Sequence, residues 1–280
     1  MIRAHRIGSS DAAAILGLSR WHTAHDVYLR LTDRLEEQPD IESAAMTLGK
    51  MMEAPLVDWG AQEAGVKVRK NVVKVNGNLS AQHDALAVSA PMGIEAKTAG
   101  VNYEDWGPDG SDEIPAYYAA QIIHQAAVSS LDMIVVPVAF VGWRRDIRLY
   151  RVPVAEAERA AFLDFMERWF KKHVEGDTPP LCAPTLPVAR LTKRTPGKVC
   201  PASPAQAALW ARYGRMKALA GKIKDRTEEA QAALLAGMGD AEALVNNGRK
   251  ITAKWQDRKG YTVEVKPSRY QVLREGKADE

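Results

Sequence analysis

Cysteine is almost missing from this sequence. Cys182 and Cys200 are the only two among 280 residues, and they flank a proline-rich stretch. Two thiols cannot supply the four ligands of a Cys₄ zinc or iron–sulfur site, so they read as reduced thiols of a cytosolic protein. Long apolar runs are missing too. No stretch reaches the roughly 18 apolar residues that a membrane-spanning helix needs, so no membrane is expected among the partners. The opening Met-Ile-Arg-Ala-His-Arg has no apolar core of a signal peptide, which points to the cytoplasm. Internal repeats and low-complexity tracts do not stand out either.

Apolar residues make up 46% of the chain, enough for a real core. The length suits one large domain or one domain with a smaller companion. The net charge of +3 hides an asymmetry: residues 187–280 carry 19 basic and 10 acidic side chains, and residues 1–186 carry 19 and 25. An acidic body suits cation binding, and a basic tail suits a polyanion or a solvated helix. The expected divisions are a catalytic domain over 1–176, an extended linker over 177–204 with seven prolines, and a basic helical arm plus hairpin over 205–280.

Hydropathy patterning predicts a mixed α/β order with a central sheet flanked by helices. Ser9 or Ser10 caps a short helix over 11–16, and Thr23 and Asp26 form a capping box for a second helix. A third helix runs over 43–64. Strands follow at 66–75 and 78–88, joined at Asn76-Gly77, and at 94–99. A loop over 100–113 with Tyr103 and Trp106 is expected beside a substrate channel. A helix over 115–130 with Pro115 at its start, strands over 133–141 and 146–153, and a helix over 155–175 complete the domain. Trp21 is expected to anchor the core between two short helices. In the tail, Leu209, Tyr213, Met216, Ala220, Ile223, Thr227, Ala230 and Leu234 follow 4-3 spacing. A hairpin is expected with strands 250–256 and 261–265, where Lys250, Lys254, Trp255 and Arg258 interleave basic and aromatic side chains as nucleic-acid contacts do.

Four positions carry the chemistry. Glu95 and Lys97 lie one residue apart in Gly93-Ile94-Glu95-Ala96-Lys97, so on a strand they share a face. Asp84 lies eleven residues earlier, in a second strand among apolar neighbours where a carboxylate needs a partner. The turn at 89–93 brings the strands side by side. Glu53 stands on the third helix in Gly49-Lys50-Met51-Met52-Glu53. Acidic oxygens hold a hard divalent cation, and a lysine handles a nucleophilic water or phosphate charge. His83 points to the opposite strand face from Asp84 and reads as structural, as does His124.

The order G-x-x-x-E, D, E-x-K and Y-x-x-Q (Tyr118 to Gln121) resembles the PD-(D/E)XK nuclease superfamily. With the opening Arg3-Ala-His-Arg6-Ile-Gly8-Ser9-Ser10-Asp11, it is similar to the YqaJ-like viral recombinase branch, the group containing phage lambda exonuclease. The resemblance spans about 3–176 and implies a restriction-endonuclease-like core. It implies Asp84, Glu95 and the backbone carbonyl of Ala96 as ligands of Mg²⁺, with Mn²⁺ as a substitute, and Glu53 as an outer or supporting acid. It implies Lys97 to activate water, Gln121 to hold water or the scissile phosphate, and Arg3, Arg6 and Ser10 at a 5′-phosphate. The implied activity is 5′-to-3′ exonuclease action on linear double-stranded DNA ends, in phage or prophage recombination with a single-strand annealing protein, and in a homo-oligomer that is a trimer by analogy. The alternatives are a structure-specific endonuclease of the same fold and a non-catalytic DNA-binding protein. The chain has His83-Asp84-Ala85 where the family usually has Pro-Asp-Gly.

Overall fold

The computed structural model describes residues 5–37, 43–100, 105–142 and 145–254. Its chain divides into two compact units, 1–193 with 270–280, and 194–269.

In the first unit β1 (Ile7–Gly8) leads through a 3₁₀ turn (Ser9–Asp11) into α1 (Ala12–Ile15) and α2 (Ala24–Leu31). The expected caps at Ser9 and Ser10 are replaced: Asp11 turns back and accepts from the Gly8 amide at 2.7 Å. The N-cap is Gly8, and Asp11 at N3 reaching back to its amide is the return half of a capping box. The box at Thr23 and Asp26 forms as its spacing requires. Then come α3 (Ala44–Glu63), β2 (Val68–Asn76), β3 (Leu79–Ala87), β4 (Met92–Ile94), β5 (Lys97–Ala99), α4 (Ala116–Ser129), β6 (Met133–Val141), β7 (Arg145–Pro153), α5 (Glu156–Phe170) and α6 (Leu186–Ala189). The β2–β3 loop is Gly77-Asn78, one residue later than expected, with Asn76 paired to Leu79 and a positive φ at Gly77.

The seven strands form one mixed sheet. β3 pairs antiparallel with β2; it also pairs parallel with β1 at Leu79 and Ser80, and antiparallel with β4 at Ala85 and Leu86. β4 and β5 pair in parallel with β6, which pairs antiparallel with β7. The strand expected over 94–99 is split, although Ile94 opposite Val135 and Lys97 opposite Val138 keep one register. The ladder breaks between them because β6 carries Pro137, which has no N–H for the carbonyl of Glu95.

Alternation along β6 divides the core. Val135 faces α3, in a cluster with Val57, Ala61, Ala85, Ile94 and Leu149. Ile134, Val136, Val138 and Phe140 face the other way, with Ile122, Tyr150 and Trp106. Trp106, expected at a channel, is therefore a core residue; Tyr103 lies outside the described residues. A third cluster joins α1, α2, α4 and α5 through Tyr28, Val128, Met166 and Trp169. Trp21, expected in this core, is 61% exposed. The α1–α2 layer is already filled by Ala12–Ile15, Tyr28 and Leu31, so the indole stays outside, edge-on to Tyr117 at 5.5 Å.

Residues 177–193, expected as extended linker, run back over α2. Asp177 takes Tyr28 and Arg34, the Thr185 amide donates to Asp26, and Leu35 bridges Thr192. Prolines here shape a docked segment, because α2 presents partners for its backbone.

The second unit holds α7 (Pro204–Met238), capped by Ser203, and a hairpin of β8 (Ala243–Asn246) and β9 (Arg249–Thr252). The described part of the expected strand 250–256 is β9, which pairs with the upstream β8; residues 255–256 and the expected partner strand 261–265 lie outside the described residues. Asn247-Gly248 forms the turn with positive φ at both residues, the requirement of a two-residue hairpin.

Gly60 lets α3 lie on the sheet. A Cβ there would stand 3.0 Å from Pro137 Cγ and 3.4 Å from Ile94 Cγ2. Gly60→Val is expected to lower unfolding free energy by about 1–3 kcal/mol, the usual cost of overpacking, as read by chemical denaturation. An unchanged midpoint would mean that the helix is free to lift.

Candidate active site

The site is built on a gap in a strand edge. β1 covers the edge of β3 at residues 79–80 and β4 covers it at 85–86. Between them α4 supplies side chains to the open carbonyls. His124 Nε2 meets the Ser80 carbonyl at 3.0 Å, and Gln125 Nε2 donates to the Gln82 carbonyl at 3.0 Å. Unpaired backbone acceptors are costly when buried, so these two bonds dock α4 against β3.

Docking brings Gln121 and Gln125, one helical turn apart, onto Glu95. Glu95 Oε1 accepts from Lys97 Nζ at 2.7 Å and Gln121 Nε2 at 2.6 Å; Oε2 accepts from Gln125 Nε2 at 2.7 Å. Lys97 Nζ also donates to Gln121 Oε1 at 3.1 Å. It lies 5.1 Å from the ring centroid of Tyr118, which is 4.2 Å from that of Tyr117. Asp84 sits across the gap, where its Oδ2 accepts from the Ala96 amide at 2.8 Å.

Burial pushes the Asp84 carboxyl up to about 7. The negative charge of Glu95 and then of Glu53 adds to this, and the Ala96 amide and Lys97 oppose it. Acidic charge is thus concentrated beyond what one lysine offsets. Such a donor set fits a hard divalent cation that keeps several of its waters. Among the described residues no group of three or more His, Cys, Asp or Glu side chains is close enough to hold a metal, so the protein offers two carboxylates, Asp84 and Glu95, with Glu53 near enough to act on Asp84 by its field. Glu95 would trade part of its amide and ammonium contacts for a cation.

A cleft of about 270 Å³ opens here, lined by Gly8, Ser9, Ser10, Ser80, Gln82, Asp84, Glu95 and Gln121. Ser10 therefore lies at the site. Ser9 does too, with its Oγ buried and unpartnered among the described residues. Arg6 is placed differently: its Nε donates to the Gly77 carbonyl at the β2–β3 turn. Arg3, Trp255 and Arg258 lie outside the described residues. Lys250 on β9 and Lys254, 3.7 Å from Glu242, belong to the second unit. His83 is buried, with its ring 2.7 Å from Ser129 Oγ, and burial lowers its pKa to about 4. His124 is buried and lowered to about 4 in the same way; neither opens on the cleft.

Sequence reasoning missed Gln125. Its signal was available: it follows Gln121 by four residues, hence lies on the same helix face. Ser9 was read only as a cap.

Residues 1–132 match the family model of the YqaJ-like viral recombinase domain. That stretch runs from β1 through α4 and includes Glu53, Asp84, Glu95, Lys97 and Gln121. A relative is the uncharacterized protein YqaJ of Bacillus subtilis (strain 168), 28% identical over 127 residues. The aligned stretch covers 44% of this chain and 39% of that protein. Two solved structures are similar at low identity. One is an alkaline exonuclease (LHK-Exo) from Laribacter hongkongensis, at 17% identity and TM-score 0.43, covering 63% of this chain and 96% of that one. The other is a phage-related exonuclease from Haemophilus somnus 129PT, at 12% identity and TM-score 0.46, covering 62% and 96%.

The raised Asp84 pKa gives the first unit a pH signature. The unfolded chain ionises Asp84 near its ordinary value, and the folded chain does so only near 7. Between those values the folded state holds the extra proton, so this group favours folding at low pH and loses that advantage as pH rises. In chelator, Asp84→Asn is expected to gain stability over the parent as pH goes from about 5 to about 8, and divalent cation should narrow the gap by stabilising only the parent. Parallel thermal melts check this; a gap independent of pH would refute the assigned field.

Proposed function

We propose that the protein is a divalent-metal-dependent deoxyribonuclease that acts as an exonuclease on linear double-stranded DNA, with 5′-to-3′ polarity. The observation that carries the reading is the convergence of Asp84, Glu95 and Gln121 on one cleft beside the unpartnered Ser9 hydroxyl, with Lys97 bonded to Glu95 and Gln121. The match to the YqaJ-like viral recombinase domain over residues 1–132 supports it, as do the exonuclease-like motifs in order along the sequence.

In this reading Asp84 and Glu95 hold Mg²⁺, with the Ala96 carbonyl as a further oxygen. An ion held by these residues would supply an activated water and offset negative charge on the phosphate. Lys97, held by Glu95, Gln121 and the Tyr118 ring, offsets charge that develops at phosphorus. Gln121 orients the attacking water through the same network. Ser9 and Ser10 donate hydroxyls to a phosphate in the cleft, and Arg3, outside the described residues, is a further candidate for that phosphate by resemblance. Glu53 tunes Asp84 through space. The chain works in phage or prophage recombination in the cytoplasm of a bacterial host, as a homo-oligomer, and passes its product to a single-strand annealing protein. Among the described residues no helix is long and apolar enough to cross a membrane.

Linear duplex DNA labelled at either end, with 5′-phosphate or 5′-hydroxyl termini, tests the reading in Mg²⁺ and in EDTA. Loss from 5′-phosphorylated ends in Mg²⁺ alone is expected, with covalently closed DNA left intact. Glu95→Ala and Lys97→Ala are each expected to slow digestion by roughly 10²–10⁴. Cutting of closed circles would favour an endonuclease. Binding without turnover in parent and variants alike would favour a DNA-binding protein.

A further inference from the structure

The second unit carries a feature that the cleft does not use. α7 is 35 residues long, and only Met238 in it is buried. At 1.5 Å per residue this is about 50 Å of helix. Large apolar side chains stand in the open along it: Leu209, Tyr213, Met216, Ile223 and Leu234 are 46–63% exposed. Their spacing is the 4-3 alternation of a packing seam. Propensity alone does not hold apolar residues in that register, and an uncovered stripe of this length marks a surface made to be covered.

The charges beside the seam identify what covers it. The charged rim positions of these heptads are all basic, Arg212 and Arg226 on one side and Lys217 and Lys224 on the other; Leu219 and Ala233, and Trp210 and Gln231, fill the remaining ones. The acids Asp225, Glu228 and Glu229 lie outside both rims; Lys224 does approach Glu228 at 3.8 Å, but the pair is 75% and 65% exposed and contributes little. A second copy of α7 would bring no acid to either rim and, in parallel register, would set Arg212 against Lys217, which disfavours self-pairing. Duplex DNA would meet the basic rims and leave the seam wet, since phosphates offer nothing apolar. A lipid surface rewards bulk along the whole stripe, whereas this seam includes Ala220, Thr227 and Ala230, which suit close packing of another helix.

We infer that α7 is a docking arm for an acidic amphipathic helix of a partner protein, with apolar a and d positions and glutamates or aspartates at its rims. Seam-to-seam packing supplies the area, and opposite charge along both rims fixes register and excludes self-pairing. The inference stands apart from the nuclease reading, because its readout needs no DNA.

The full-length protein is titrated with two synthetic five-heptad peptides, both with leucine at a and d, one with glutamate and one with lysine at e and g. The glutamate peptide is expected to bind, more weakly as salt rises, and the lysine peptide not to bind. Leu209→Asp with Ile223→Asp should weaken binding about tenfold or more, the scale of anchor residues at an interface. Because that pair could alter the helix, a charge-swapped variant (Arg212→Glu, Lys217→Glu, Lys224→Glu, Arg226→Glu) serves as the second arm, and it should prefer the lysine peptide. Equal binding of both peptides, binding unchanged by either variant, or no binding would overturn the inference. So would a self-associated parent that Leu209→Asp with Ile223→Asp converts to a smaller species, or an arm that takes up anionic lipid vesicles and ignores the glutamate peptide.

Discussion

The side-chain amide of Gln125 is the contact on which the site depends. One Nε2 serves the Gln82 carbonyl on the open edge of β3 and the Glu95 carboxylate beyond it. It therefore ties three elements, α4, β3 and the β4–β5 stretch, at one point. A buried amide that loses a partner costs more than an average hydrogen bond supplies, so the backbone of β3 and the acid of the cleft are placed by the same requirement. Lys97 and Gln121 then share what remains of Glu95, and Asp84 is fixed from the other side by the Ala96 amide. The result is a polar network in a largely apolar wall, where each member is oriented by another.

The sequence showed the site residues more clearly than their supports. Glu95 and Lys97 were legible because alternation puts both on one side, and Asp84 because a carboxylate among Ala81, Ala85 and Leu86 is conspicuous. The break between β4 and β5 was not legible from that stretch itself; its cause is Pro137, forty residues away on a neighbouring strand. Gln125 was passed over because a polar residue in an apolar helix reads as surface until its strand partner is known. Trp21 misled for the opposite reason: indole size suggests burial, but the small residues of α1 leave no room beneath it. Capping signals at Thr23 and Pro115 were legible, since they depend on a few adjacent residues; Ser43 and Ser203 cap their helices as well.

In the second unit, pattern alone gave the helix and its seam. An upstream hairpin turns at Asn247-Gly248, a dipeptide whose tolerance of positive φ at both residues is itself a hairpin signal. An exposed seam with one sign of charge on both rims is a local conflict that folding alone does not reward, and such conflicts mark places kept for an encounter.

The contact between Gly60 and Pro137 reaches further than packing. Glu53 stands seven residues before Gly60 on α3, two turns along the same face, or about 10 Å. Glu53 is also one of the charges that raise Asp84. The helix thus meets Pro137 at Gly60 at one point and carries an acid toward Asp84 at another, with Pro55 between them. Burial and Glu95 raise Asp84 most, and Glu53 adds a smaller share from this helix, so a contact that carries no charge, at Gly60, bears on a site made of charges.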